Sequence, residues 1–162
     1  MALIPEVEPL VAPWRERLTA DGARGMPPHV TLLYPFADET EVDGLRTDVE
    51  EALAPFAPFE TTFARTARWP DVLYLAPAQP GPFVALVEAL VAAFPQYPPY
   101  GGAHDSIVPH LTVAEGDGET FASIEAAVRP ALPVSVRVER VWLMTDDPAG
   151  WHRRTPFPLN RR

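Results

Sequence analysis

The chain has 162 residues, 47% of them hydrophobic and 22% charged, which suits one folded domain with a substantial core and is too apolar for disorder. Its net charge is −9, every one of its 13 basic residues is arginine, and it has no cysteine. That balance argues against a broad footprint on duplex DNA, and it excludes disulfides and thiolate metal sites.

The opening MALIPEVEPL has no basic segment ahead of an apolar run, so it does not read as a secretory signal. No apolar run is long enough to span a bilayer, and a cytoplasmic monomer is expected. ALIPEV reads as a strand, followed by a short helix through Trp14 and Leu18 with Pro13 near its start. Val30 to Tyr34 is the next strand. Asp38 or Thr40 is placed to cap a helix with apolar positions Val42, Leu45, Val49 and Leu53. TTFART and DVLYL, joined through Trp69-Pro70, read as a hairpin, and Pro82 opens a helix with Phe83, Leu86, Val87, Leu90, Val91 and Phe94 as its buried stripe.

After a loop rich in proline, glycine and tyrosine (96–106), SIVPHLTVAEG reads as a strand ending at a turn. Thr120 suits the cap of a helix through Phe121, Ile124 and Val128 that stops at Pro130. VSVRVERVWLM alternates as one strand, with a turn and a short strand near Trp151 after it. Each half of the chain thus offers a strand, a helix and a hairpin in the same order. The expected fold class is α+β: a bilobal, pseudo-twofold arrangement of two sheet-containing lobes, helices outside and a central cleft, within one intertwined domain over residues 1–162.

The two strands that open these halves carry the same pattern. Pro28-His29-Val30-Thr31-Leu32 and Pro109-His110-Leu111-Thr112-Val113 both read proline, histidine, aliphatic, threonine, aliphatic. Alternation puts His29 with Thr31, and His110 with Thr112, on one strand face, with the aliphatics on the other. Chance recurrence of the full pattern is about one in thousands of such sequences. Histidine exchanges a proton near neutral pH, so two across a cleft can act as base and acid. Two threonine hydroxyls beside them can donate to the nonbridging oxygens of a phosphodiester. The scheme requires neither metal nor cofactor.

With their separation of 81 positions, the two motifs resemble those of the two-histidine phosphoesterase superfamily. PPHVTLLYPF, DVLYLAP and PPYGGAHDSIVPHLTVAEG are similar in particular to its bacterial 2′-5′ RNA ligase-like branch, which includes cyclic phosphodiesterase activities. The resemblance implies that His29 and His110 are the acid and base and that Thr31 and Thr112 bind phosphate. It implies a nucleotide or RNA end bearing a 2′,3′-cyclic phosphate or a 2′-5′ linkage as the partner. Some relatives carry a basic residue soon after the second motif, where this chain has Glu115. Arg137, Arg140, Arg153 and Arg154 are the alternatives for that charge.

Tyr74, Phe36 and Tyr100 are the candidate substrate contacts, as rings placed to close on or stack against a base. Tyr34 falls opposite His29 and reads as core; Trp69, Trp142 and Trp151 read as core or hairpin packing. His152 reads as a surface residue and Arg161-Arg162 as a solvated tail. Two other functions fit the same residues: a protein that binds a nucleotide or RNA end without turnover, and a metal-dependent hydrolase using His29, His104, His110 and Asp105.

Overall fold

Among the described residues the strands form three antiparallel sheets, of two, four and two strands, from segments that the halves of the chain exchange. The computed structural model describes residues 1–38, 40–103 and 107–160. In the first sheet β1 (Ala2–Leu3) pairs with β2 (His29–Val30), with Leu3 opposite His29. The second sheet has the order β5-β4-β3-β6, made of β3 (Phe59–Arg68), β4 (Val72–Pro77), β5 (Leu111–Glu115) and β6 (Val134–Val138). The last hairpin, β7 (Arg140–Asp147) with β8 (Gly150–Pro158), returns to the first sheet. There the Met1 nitrogen donates to the Trp142 carbonyl and the Trp142 N–H donates to Met1, each at 2.8 Å. The hairpin that follows the first motif therefore carries the second motif's strand, and the hairpin that follows the second motif is joined to the first motif's sheet. β2 and β5 are neighbours where the sheets meet.

The mixed helix-and-strand architecture agrees with expectation, and several boundaries shift. β2 ends at Val30 instead of running to Tyr34, because the Tyr34 carbonyl accepts the Tyr100 N–H at 2.6 Å instead of entering a ladder. VSVRVERVWLM is two strands. Val136 and Val138 are buried, but the next buried position is Val141, so the period of two slips by one around Glu139. The slip lets the chain leave one sheet for the other.

α1 (Glu8–Leu18) holds Pro13 in its interior and starts earlier, after a 3-10 turn over Pro5–Val7. It presents Val11 and Arg15, four apart and both buried, to one side. Thr19 caps the short α2 (Ala20–Ala23) by accepting the Gly22 N–H at 2.9 Å. Asp38 caps no helix; its carboxylate takes both the N–H and the hydroxyl of Thr40 at 2.9 Å, forming a turn, and α3 (Arg46–Leu53) begins after it. α4 (Gly81–Ala93) buries Phe83, Leu86, Val87 and Leu90 as the spacing predicts. α5 (Gly118–Val128) starts before Thr120 and buries Phe121, Ile124 and Val128. α1 lies against β5 and α5, while α3 lies against α4 and β8. No helix among the described residues is long and apolar enough to cross a membrane.

The β7–β8 turn is anchored at Gly150, whose φ is +127° and where a Cβ would sit 2.5 Å from the Arg24 carbonyl oxygen. The next residue, Trp151, donates its N–H to that same carbonyl at 2.9 Å. Gly150→Ala is therefore expected to lower stability by about 2 kcal/mol, from backbone strain plus displacement of the Arg24 segment. Urea denaturation checks this; an unchanged midpoint would show that the hairpin relaxes freely.

Candidate active site

Each motif histidine is held by the same local bond. Two prolines lead into His29 and one into His110, which keeps the preceding residues extended. In that geometry His29 Nδ1 reaches the Pro27 carbonyl at 2.8 Å, and His110 Nδ1 reaches the Val108 carbonyl at 2.7 Å. A carbonyl only accepts, so Nδ1 must carry the proton in both rings and Nε2 is the lone-pair nitrogen of each neutral form. Both imidazoles are thus fixed in one tautomer with the same nitrogen available for proton transfer.

Their surroundings differ. His29 is 8% exposed, and burial, offset in part by its bond to Pro27, pushes its pKa down to about 3. The positive charges of Arg15 and the Met1 amino group, and the neighbouring His110, act in the same downward direction. His110 is also lowered by burial, against the raising effect of its bond to Val108. It stands partly open, in an aromatic bracket: the Trp69 ring is 4.6 Å and the Tyr74 ring 5.6 Å from the imidazole, both edge-on. Trp69 and Tyr74 contact each other at 4.5 Å. Register explains Tyr74, which sits opposite Thr112 across β4 and β5.

A cleft of about 720 Å³ opens over these groups, lined among others by Thr31, Tyr34, Trp69, Asp71, Tyr100 and His110. Of the four motif residues Thr31 and His110 line it; His29, which is buried, and Thr112, half-buried on β5, do not. Tyr100 shares a side-chain hydrogen bond with Thr31, and its φ of 52°, followed by Gly101 at 64°, turns the loop back over the first motif. Tyr34 is 45% exposed at the cleft and not in the core. The Phe36 ring packs edge-on against Phe94 and Tyr97 and lines a second cavity of about 240 Å³, which shares Leu32 and Tyr34 with the cleft. Trp142 and Trp151 border that second cavity.

Two residues of the site carry weak sequence signals. Trp69 reads as hairpin packing, yet it lines the cleft and contacts His110. Arg15 drew no expectation from the sequence and is 2% exposed; its spacing of four from Val11 is the signal that would have found it. None of the alternative arginines lines the cleft. Arg137 pairs with Glu139 at 3.3 Å, Arg140 with Glu139 at 3.9 Å and Arg154 with Asp43 at 2.9 Å, and Arg153 lies over Trp142. His152 is an exposed partner of Asp147. His104 and Asp105, half of the metal-site reading, lie outside the described residues, as do Arg161 and Arg162. Among the described residues no group of three or more histidines and carboxylates is arranged to hold a metal ion.

The sequence profile of the 2′-5′ RNA ligase superfamily matches residues 4–150. No curated protein matches the chain in sequence. Among solved structures, TT0787 of Thermus thermophilus is 21% identical with a TM-score of 0.59, over 96% of this chain and 89% of its own. A structure described as a phosphoesterase is 14% identical with a TM-score of 0.62, over 98% and 95%. LigT of E. coli, complexed with NADP+, is 15% identical with a TM-score of 0.60, over 98% and 94%.

Proposed function

Since the chain belongs to the 2′-5′ RNA ligase superfamily, we propose that it is a metal-independent phosphoesterase that opens a 2′,3′-cyclic phosphate or cleaves a 2′-5′ phosphodiester at a nucleotide or RNA end. The observation that carries this reading is the matched pair of Nδ1–carbonyl bonds, which leaves both histidines with Nε2 as the exchanging nitrogen. His29, buried and neutral, is the base that takes a proton from water as the water oxygen attacks phosphorus. His110, open to the cleft and bracketed by two aromatic rings, acts in its imidazolium form, with both ring nitrogens protonated. It delivers the Nε2 proton to the departing ribose oxygen, after which the proton held by His29 returns to solvent. Thr31 and Thr112 donate to the nonbridging oxygens, where charge builds in the transition state. Tyr100 lines the cleft, and Tyr74 backs the His110 ring without lining the cleft.

The cleft favours a small substrate. Asp71 is in its wall, and no arginine is among its described lining residues, so it offers little to a long polyanion. The bound NADP+ of LigT supports nucleotides as the ligand class.

The test is turnover of the four nucleoside 2′,3′-cyclic monophosphates with a chelator present. Wild type is expected to turn over at least one of them; inactivity on all four removes simple cyclic nucleotides as substrates and favours a protein that only binds the end. Thr31→Val and Thr112→Val are each expected to lower kcat by roughly 10- to 100-fold with a smaller change in KM, because a hydroxyl donor matters most where charge develops. Equal losses in kcat and affinity for product would instead make the threonines ground-state contacts.

A further inference from the structure

Arg15 is a buried cation that the acid–base scheme leaves unused. It sits on the inner face of α1, 2% exposed, where burial alone lowers its pKa. Its Nη1 donates to the Thr112 carbonyl at 2.5 Å and its Nη2 to the Met26 carbonyl at 3.2 Å. Thr112 belongs to the second motif. Met26 directly precedes the Pro27-Pro28 pair that delivers His29, and whose Pro27 carbonyl holds the His29 ring. One guanidinium therefore bridges the two strands whose relative placement sets the distance between the catalytic groups. These strands come from opposite halves of the chain and lie in different sheets, so no continuous ladder fixes one against the other.

We propose that Arg15 is a positioning residue for the paired-histidine site, its forked guanidinium locking the segment that leads into His29 to the strand that carries Thr112. An arginine suits this role because its planar, rigid fork presents separate N–H groups to two acceptors at once, whereas an ammonium is a compact point charge with no fixed fork. The charge has a second consequence. Arg15 acts on His29 in the direction that disfavours the imidazolium, together with the Met1 amino group and His110. Asp21, Glu115 and Glu8 face Arg15 itself and hold it charged. Glu115, standing where some relatives carry a basic residue, is thereby part of the counter-charge for a cation supplied from the helix.

The activity half of this proposal rests on the phosphoesterase reading; the electrostatic half does not. The experiment is a titration of the histidine imidazoles by NMR in wild type, Arg15→Met and Arg15→Lys, with kcat and KM on a 2′,3′-cyclic nucleotide measured in parallel. In Arg15→Met the His29 midpoint is expected to rise by about half a pH unit or more while that of His110 stays in place. In Arg15→Lys the His29 midpoint is expected to hold, because the charge remains. Both variants should lose about tenfold or more in kcat at nearly constant KM, because the second carbonyl is released. A folded Arg15→Met with the wild-type His29 midpoint and wild-type kcat overturns the proposal and leaves Arg15 as packing alone. Should Arg15→Met not fold, Arg15→Lys decides: a loss in kcat with the His29 midpoint held supports the fork, and wild-type kcat overturns it. If wild type turns over no cyclic nucleotide, the phosphoesterase reading has failed, and the His29 midpoints alone judge Arg15.

Discussion

His29→Ala and His110→Ala are each expected to lower kcat on a 2′,3′-cyclic nucleotide by about 10²- to 10⁴-fold, the range of a single positioned proton-transfer group. The two losses should not add in the double variant, since removing either partner breaks the same concerted transfer. Their difference lies in the leaving group. A phosphodiester whose leaving oxygen belongs to an acidic phenol departs without protonation, so it no longer needs the general acid. On such a substrate His110→Ala is expected to recover most of its activity and His29→Ala to recover none. The opposite pattern would exchange the roles, and no recovery in either would place both residues in binding. His29 is buried, so its alanine variant must first be shown to be folded; His29→Asn, whose Nδ2 stands where Nδ1 donates to the Pro27 carbonyl, serves as the control.

The site was readable in the sequence where its chemistry is local. A histidine two residues before a threonine shares its strand face, and recurrence of that pattern at position 110 is what singles the pair out as a candidate site. The helix stripe from Phe83 to Phe94 was equally plain, because a strong period of 3.6 has one physical reading. What escaped depends on contacts between distant segments. The exchange of hairpins turns on a phase slip at Glu139, a single residue inside an otherwise alternating run. Trp69 joins the site because β4 brings Tyr74 opposite Thr112, a register set by two strands from different halves. Arg15 is hidden for another reason: arginine on a helix is ordinarily solvated, and only the carbonyls of Met26 and Thr112 make its burial tolerable. Phe36 and Tyr34 lie in one segment, and the structure sends one ring into the second cavity and leaves the other at the cleft.

Between pH 7 and pH 5 the fold is expected to lose about 2 kcal/mol through His29 alone, and roughly 4 kcal/mol by pH 3. In the unfolded chain this imidazole takes up a proton near 6.5, whereas in the folded protein it does so only at about 3. Below 6.5 the unfolded state therefore binds more protons, and stability falls as the pH falls. The loss levels off near 3, where the folded protein is protonated as well; above 6.5 both states are neutral and the contribution is complete. His110, shifted in the same direction, adds to the slope. Carboxylates with lowered pKa, such as Glu125 held by Arg68, keep their contribution until the pH falls below the ordinary carboxylate value of 4.5. Between 6.5 and 4.5 the carboxylates are thus silent, and the histidines share the acid loss with the Met1 amino group, which burial lowers from 8.0 to about 5. Urea denaturation at pH 7 and pH 5 reads the His29 share as a difference: wild type should lose more stability across the interval than His29→Asn, which keeps the Met1 contribution. Equal losses in the two would mean that water reaches His29 and that its burial is not what keeps it neutral. The same burial that makes the fold sensitive to acid keeps His29 Nε2 unprotonated at neutral pH, the state that the proposed base role requires.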